Sequence, residues 1–202
     1  DGSANEGGRF PFIMRSHGLG QIFGPGLKDG PFPEHYEPLE SPIAENFMSS
    51  QRRNPLMRTP KKGGLAAEAD PRFPSVCTTY RLTEHWQTVT RAVPWNLELQ
   101  PQVFVEMSHE LANLKKIKTG ERVRVESPRG KLECTAVVTH RFKPMKIVDQ
   151  TVHQVGIPWH FGWRWPAGGT EESVNILVAT TTDPVSEIPE YKAFMVNVFK
   201  KE

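Results

Sequence analysis

Cysteine is almost missing from the chain: Cys77 and Cys134 are the only two in 202 residues. Far apart and without a Cys-x-x-Cys partner, they support neither a disulfide framework nor a zinc site. The seven histidines include no His-x-x-x-His pair, so the pattern gives no protein-only zinc site either. Long apolar runs are also absent. None approaches the ~18–20 residues a membrane helix needs, which excludes a direct span. Neither sign of charge dominates, with 25 Lys+Arg against 23 Asp+Glu and a net charge of +2. A dedicated nucleic-acid binder would show a basic excess. No Gly-x-Ser-x-Gly elbow, Gly-Lys-Ser/Thr phosphate loop, internal repeat or low-complexity tract occurs.

What is present argues for a packed domain, because five Trp and eleven Phe need somewhere to be buried. Glycine and proline are uneven. Residues 1–75 hold 10 of the 18 Pro and 10 of the 16 Gly, while all five tryptophans come later. Segments such as Phe23-Gly24-Pro25-Gly26 cannot sustain long helices or central strands. Yet Phe10, Phe12, Phe32, Tyr36 and Phe47 are too many aromatics for a solvated linker. Residues 1–74 therefore read as an extended arm and connector laid over another surface, and 75–202 as a folded domain. The chain opens on Asp1 with no charged-then-apolar leader, as expected of a processed chain or a piece of a longer one.

Within 75–202 short strands dominate: Ser75–Tyr80, Val103–Met107, Glu121–Glu126, Lys131–Thr139, Gln150–Ile157 and Ala193–Phe199. Leu132, Cys134, Ala136 and Val138 share one face, which makes Cys134 a core residue; Cys77 reads the same way. Ser108 caps a helix predicted from His109 to about Ile117, with Gly120 just past its end. Many short strands with few short helices predict a mainly β fold closed on itself, which hides its edges.

Two segments carry chemistry. Thr79-Tyr80-Arg81-Leu82-Thr83-Glu84-His85-Trp86-Gln87-Thr88 gathers hydroxyls, a guanidinium, an imidazole and an indole at a strand exit. Such a loop suits phosphate oxygens, with Arg81 gripping them in a bidentate fork and Trp86 stacking on a flat ring. A tryptophan-anchored loop with a surface arginine is the plainer alternative. Val152–Trp163, with Trp159, Phe161 and Trp163, forms either a stacking wall or a corner of the core.

As a set, these residues resemble a known family. Thr78–Trp86 is similar to the start of the dinucleotide-binding domain of molybdopterin oxidoreductases (the dimethyl sulfoxide reductase family), above all of formate dehydrogenase large subunits. Gln100–Glu106, Ser127-Pro128-Arg129-Gly130, Val152–Trp163 and Ile188–Phe194 follow in the family's order, and Asp29–Pro38 resembles the connector before that domain. The resemblance covers almost the whole chain. It implies a six-stranded double-psi-type β-barrel, preceded by the Pro/Gly-rich arm, that closes over bis(molybdopterin guanine dinucleotide) carrying Mo or W. The implied cofactor-binding residues are Thr79, Arg81, Leu82, Thr83, Glu84, His85, Trp86, Thr88, Trp159, Asn175 and Lys192. At Gln87 relatives often have His, and no role follows for it.

The family's metal ligand, its His and Arg at the metal, and its iron–sulfur cysteines match nothing in this chain. The resemblance therefore implies no catalytic and no metal-ligating residue here. It implies instead the C-terminal portion of a formate dehydrogenase catalytic subunit, inactive alone. The expected partners are the remainder of that subunit, bearing the metal ligand and iron–sulfur cluster, and an iron–sulfur electron-transfer subunit. The expected compartment is the periplasm, reached through a leader on the partner. The alternatives are the same domain of a nitrate or other molybdopterin reductase, and a stand-alone β-barrel binding module. The latter would stack single-stranded nucleic acid on Trp159, Trp163, Arg164 and Trp165, against which the small net charge weighs.

Overall fold

The computed structural model describes residues 35–57, 66–162 and 173–201. The expectations for residues 1–34 and for Trp163, Arg164 and Trp165 lie outside the described residues. Packing divides the chain into Asp1–His35 and Tyr36–Glu202, and all the secondary structure described lies in the second unit.

Among the described residues seven strands form: β1 (Ser75–Tyr80), β2 (Phe104–Ser108), β3 (Arg122–Glu126), β4 (Lys131–Thr139), β5 (Met145–Ile147), β6 (Gln150–Pro158) and β7 (Phe194–Lys200). They pair in the order β1-β7-β3-β4-β2-β6, and β6 pairs again with β1. Six strands thus make a closed ring, as the sequence leads one to expect, and β5 is a hairpin appended to β6. Ring closure leaves these six without an open edge. Two pairs in the ring, β1–β6 and β2–β4, are parallel; the others are antiparallel.

The period-2 pattern decides what points inward. Cys77, Val123, Val125, Leu132, Cys134 and Val155 are all essentially inaccessible to solvent. Both cysteines are core residues, and burial pushes the Cys77 thiol well above its ordinary pKa, which keeps it inert. Gly156 in β6 marks a close approach. A Cβ there would lie 2.5 Å from Phe142 Cζ and 2.7 Å from Tyr80 Cε1.

Among the described residues the α-helices are α1 (Pro94–Leu99) and α2 (His109–Lys115). Ser108 caps α2 as expected, its side chain accepting from Leu111 N. The helix ends earlier than the sequence suggests. Lys116 takes the left-handed conformation (φ 55°), while Gly120 (φ 90°) belongs to the following turn. A lysine tolerates this because its amide still reaches the Ala112 and Asn113 carbonyls.

The connector is held by a buried ion pair. Arg129, in the β3–β4 turn, forks onto Glu40, with Nη2 2.9 Å from Oε2, and donates from Nε to the Leu177 carbonyl at 3.0 Å. The Glu40 carboxylate also accepts from Ala67 N and Met195 N. Beside it, Leu39 N donates to Glu190 Oε2. Burial, and then the neighbouring Glu40 charge, holds the Glu190 carboxyl above the usual carboxylate range. Among the described residues no helix is long and apolar enough to cross a membrane.

Candidate functional site

The parallel register of β1 and β6 aligns Tyr80 with Pro158, so both strands leave the ring together. Trp159 N donates to Tyr80 O at 3.2 Å and carries the pairing one step further. Arg81 and Trp159 are therefore neighbours by register, and the guanidinium lies 5.0 Å from the Trp159 ring centroid. That is cation–π distance.

A third segment arrives from just before β7. Thr79 donates from both N and Oγ1 to Tyr191 O, at 3.1 and 2.9 Å, and Lys192 Nζ donates to Thr79 O. A fourth is the 3-10 turn Val174–Leu177, begun by Ser173, whose Oγ accepts from Asn175 N. Between these four segments opens a pocket of about 320 Å³. It is lined by Thr79, Arg81, Trp159, Asn175, Ile188, Pro189, Tyr191 and Lys192. This lies at the lower end of the volumes usual for ligand sites, ~300–1,000 Å³.

Its electrostatics favour an anion. Two cations, Arg81 and Lys192, border the pocket, and among the described residues no carboxylate lines it. Partial burial, and then the Arg81 charge, lowers the Lys192 pKa. An anion between them would relieve that repulsion. The indole Nε1–H of Trp159 is buried yet has no acceptor among the described residues, a debt of ~1–3 kcal/mol that a ligand oxygen or nitrogen would settle. Asn175 is exposed and offers both a donor and an acceptor.

Five of the residues expected from the sequence thus meet: Thr79, Arg81, Trp159, Asn175 and Lys192. The other six do not line this pocket. Leu82 packs against the core, and Thr83 is exposed. Glu84 uses its carbonyl to accept from Asn96 Nδ2. Trp86 is 67% exposed, and Thr88 borders a separate pocket with Arg91, Phe161, Gly162 and Ser173. His85 is buried and works as a brace. Its Nε2–H donates to Gln100 O, and Nδ1 accepts from the Thr90 hydroxyl, which in turn accepts from Trp86 N.

The residue the sequence did not single out is His160, fully buried at the start of this loop's support. Nε2 accepts from Leu82 N at 2.8 Å and Nδ1–H donates to Gln87 O, so the imidazole is neutral in one tautomer. It clips together both ends of the 82–87 turn, including Gln87 in a left-handed conformation (φ 52°). Burial lowers its pKa, outweighing the Gln87 hydrogen bond, which raises it. The unfolded chain thus takes up a proton near pH ~6.5 that the folded one refuses. Stability from His160 should be present above that pH and lost as pH falls through the lower folded-state pKa. Thermal midpoints should drop between pH 7 and pH 5, and His160→Gln, which cannot be protonated, should show a flatter profile. An unchanged slope in that variant would assign the pH dependence elsewhere.

Comparison with known proteins bears on this geometry. The family model described as Molydopterin dinucleotide binding domain matches residues 76–195. The formate dehydrogenase subunit alpha of Megalodesulfovibrio gigas is 50% identical over 200 residues, covering 96% of this chain and 19% of that protein. The formate dehydrogenase 2 subunit alpha (cytochrome c-553) of Nitratidesulfovibrio vulgaris is 47% identical, covering 98% of this chain and 20% of its own. A periplasmic nitrate reductase of Desulfovibrio desulfuricans is more distant, 34% identical over 68% of this chain and 16% of its own length. The chain therefore spans about a fifth of the length of the curated relatives it matches. Among solved structures, acetylene hydratase from Pelobacter acetylenicus superposes with a TM-score of 0.60 at 15% identity, over 85% of this chain and 21% of that one. That likeness concerns the fold alone.

Proposed function

Because the chain belongs to the Molydopterin dinucleotide binding domain family, we propose that it is the cofactor-holding part of a formate dehydrogenase catalytic subunit. The observation that carries the reading is the convergence of Arg81, Lys192, Trp159 and Asn175 on one pocket at the exit of two parallel strands. The donor set fits a pterin dinucleotide. Arg81 and Lys192 would take phosphate oxygens, the Trp159 face a flat ring, and Asn175 a heterocycle edge. The unpartnered Trp159 Nε1–H also suits a ring nitrogen or oxygen.

When bound, the bis(molybdopterin guanine dinucleotide) group, with Mo or W, would supply the two-electron chemistry that interconverts formate and carbon dioxide. This chain's own part is to bind and orient. His160 and His85 hold the 82–100 loop, Lys192 is tied to Thr79, and the register of β1 and β6 fixes Arg81 against Trp159. The metal ligand and an iron–sulfur cluster belong, in this reading, to the remainder of the subunit, electrons pass to an iron–sulfur partner subunit, and the assembly works in the periplasm. Formate is favoured over nitrate because two formate dehydrogenase relatives are 47–50% identical over 96–98% of this chain, against 34% over 68% for the nitrate reductase.

The test is to purify the full-length subunit anaerobically, count metal and guanine nucleotide per chain, and follow formate-dependent dye reduction. Guanine nucleotide with formate activity is the expected result, together with no activity from residues 1–202 alone. Dye turnover by this chain by itself, or full-length protein free of guanine nucleotide yet active, would overturn the proposal.

A further inference from the structure

The segment between β1 and β2 carries a surface that the candidate pocket does not use. Helix α1 has no buried residue. Trp95 and Leu99, four positions apart and so on one face, are 81% and 66% exposed. Trp86, Val89 and Val93, just before α1, are also exposed large apolar residues. At these exposures the two tryptophans present roughly 220–370 Å² of side-chain area, against ~300–600 Å² for the largest apolar patch on an ordinary monomer.

This face is held rigidly from behind. His85 bonds Gln100 O, Thr90 bonds His85 and Trp86 N, and Asn96 Nδ2 bonds Glu84 O. A stretch so braced, with its apolar side chains turned out, is preorganised for contact.

We infer that the Trp86–Leu99 face docks against the remainder of the same polypeptide, an inference that rests on the formate dehydrogenase reading. Two observations choose this occupant. The chain spans about a fifth of its relatives' length, so a body several times its size lies beyond it. The face is also continuous with the loop that leaves the candidate pocket at Arg81, so whatever closes over a ligand there lies beside it. Its chemistry agrees. Arg91 is buried and Glu98 is the charged residue exposed on α1, so the surface lacks the basic fringe that a membrane would reward. An apolar, charge-poor face is instead the mark of a permanent interface.

The experiment places the photo-cross-linking residue p-benzoylphenylalanine at position 95 of the full-length subunit, irradiates the native protein, and maps cross-linked peptides by mass spectrometry. The expected cross-links join position 95 to peptides of the same polypeptide outside residues 1–202. Cross-links confined to residues 1–202, to a second copy or to another subunit would overturn the inference, as would their absence. The probe does not depend on the cofactor. Upstream cross-links in a protein without guanine nucleotide or formate activity would sink the functional reading and leave this interface standing.

Discussion

Arg129→Ala is expected to cost the domain ~3–5 kcal/mol, the usual penalty for stranding one member of a buried ion pair. Glu40 has a side chain only 1% exposed and Arg129 only 11%. Without the guanidinium, the Glu40 charge stays in the interior with Ala67 N and Met195 N as its remaining donors. The Leu177 carbonyl loses its donors as well. Because Leu177 closes the turn that presents Asn175, and Met195 follows Lys192 closely, the damage should reach the candidate pocket too. Replacing both partners with methionine removes the charges together and should recover only part of the loss, since Ala67 N, Met195 N and the Leu177 carbonyl still lose their partners. Chemical denaturation of the subunit, followed by exchange of the ring amides, gives the numbers. A single-variant loss below ~1 kcal/mol, the value of a solvated surface pair, would show the pair to be solvated instead.

On the proposed reading, Arg81→Ala should weaken cofactor affinity by ~10–150-fold, from the loss of a charge-assisted fork worth ~1.5–3 kcal/mol, and so lower cofactor occupancy of the assembled enzyme. The same change removes the cation from the Trp159 face. Arg81→Lys should restore only part, because a point charge cannot copy the planar fork. Subunits that do retain cofactor should turn over nearly normally, since this contact serves ground and transition states alike. Metal and guanine nucleotide per chain, set beside turnover per bound metal, separate the two effects. Full occupancy with collapsed turnover would move Arg81 from holding the ligand to serving the reaction.

The strands were legible because alternation is a local signal. Leu132, Cys134 and Ala136 can be read inward without knowing what they face. The ring order was not, since nothing near Tyr80 announces that Pro158 is its partner. For the same reason the Arg81–Trp159 stack emerges only from the register. Thr79–Thr88 looked like one functional stretch, yet a loop has no period. Its side chains go separately to the pocket (Thr79, Arg81), the interior (His85) and the surface (Thr83, Trp86). Arg129 sat in what reads as an ordinary turn, Ser127-Pro128-Arg129-Gly130. Glu40 was one acid in a proline-rich connector, and their meeting is a long-range event. Helix α1, at six residues, is too short for a periodic pattern to show, and Pro94 at its first position is its main cue.

The way the ring closes governs how the domain can assemble. Ser75 in β1 faces His153 on one side and Val196 on the other, so the first strand of the ring has no neighbour close in sequence. Strand β7 fills the gap between β1 and β3. Until Phe194–Lys200 are available, those two strands keep unpaired backbone edges, the kind of surface that recruits other chains. Such high contact order slows folding, because loop entropy must be spent before any long-range pair repays it. A ribosome that stalls before Phe194, or a protease that trims the last strand, therefore yields a sticky, open sheet rather than a slightly smaller domain.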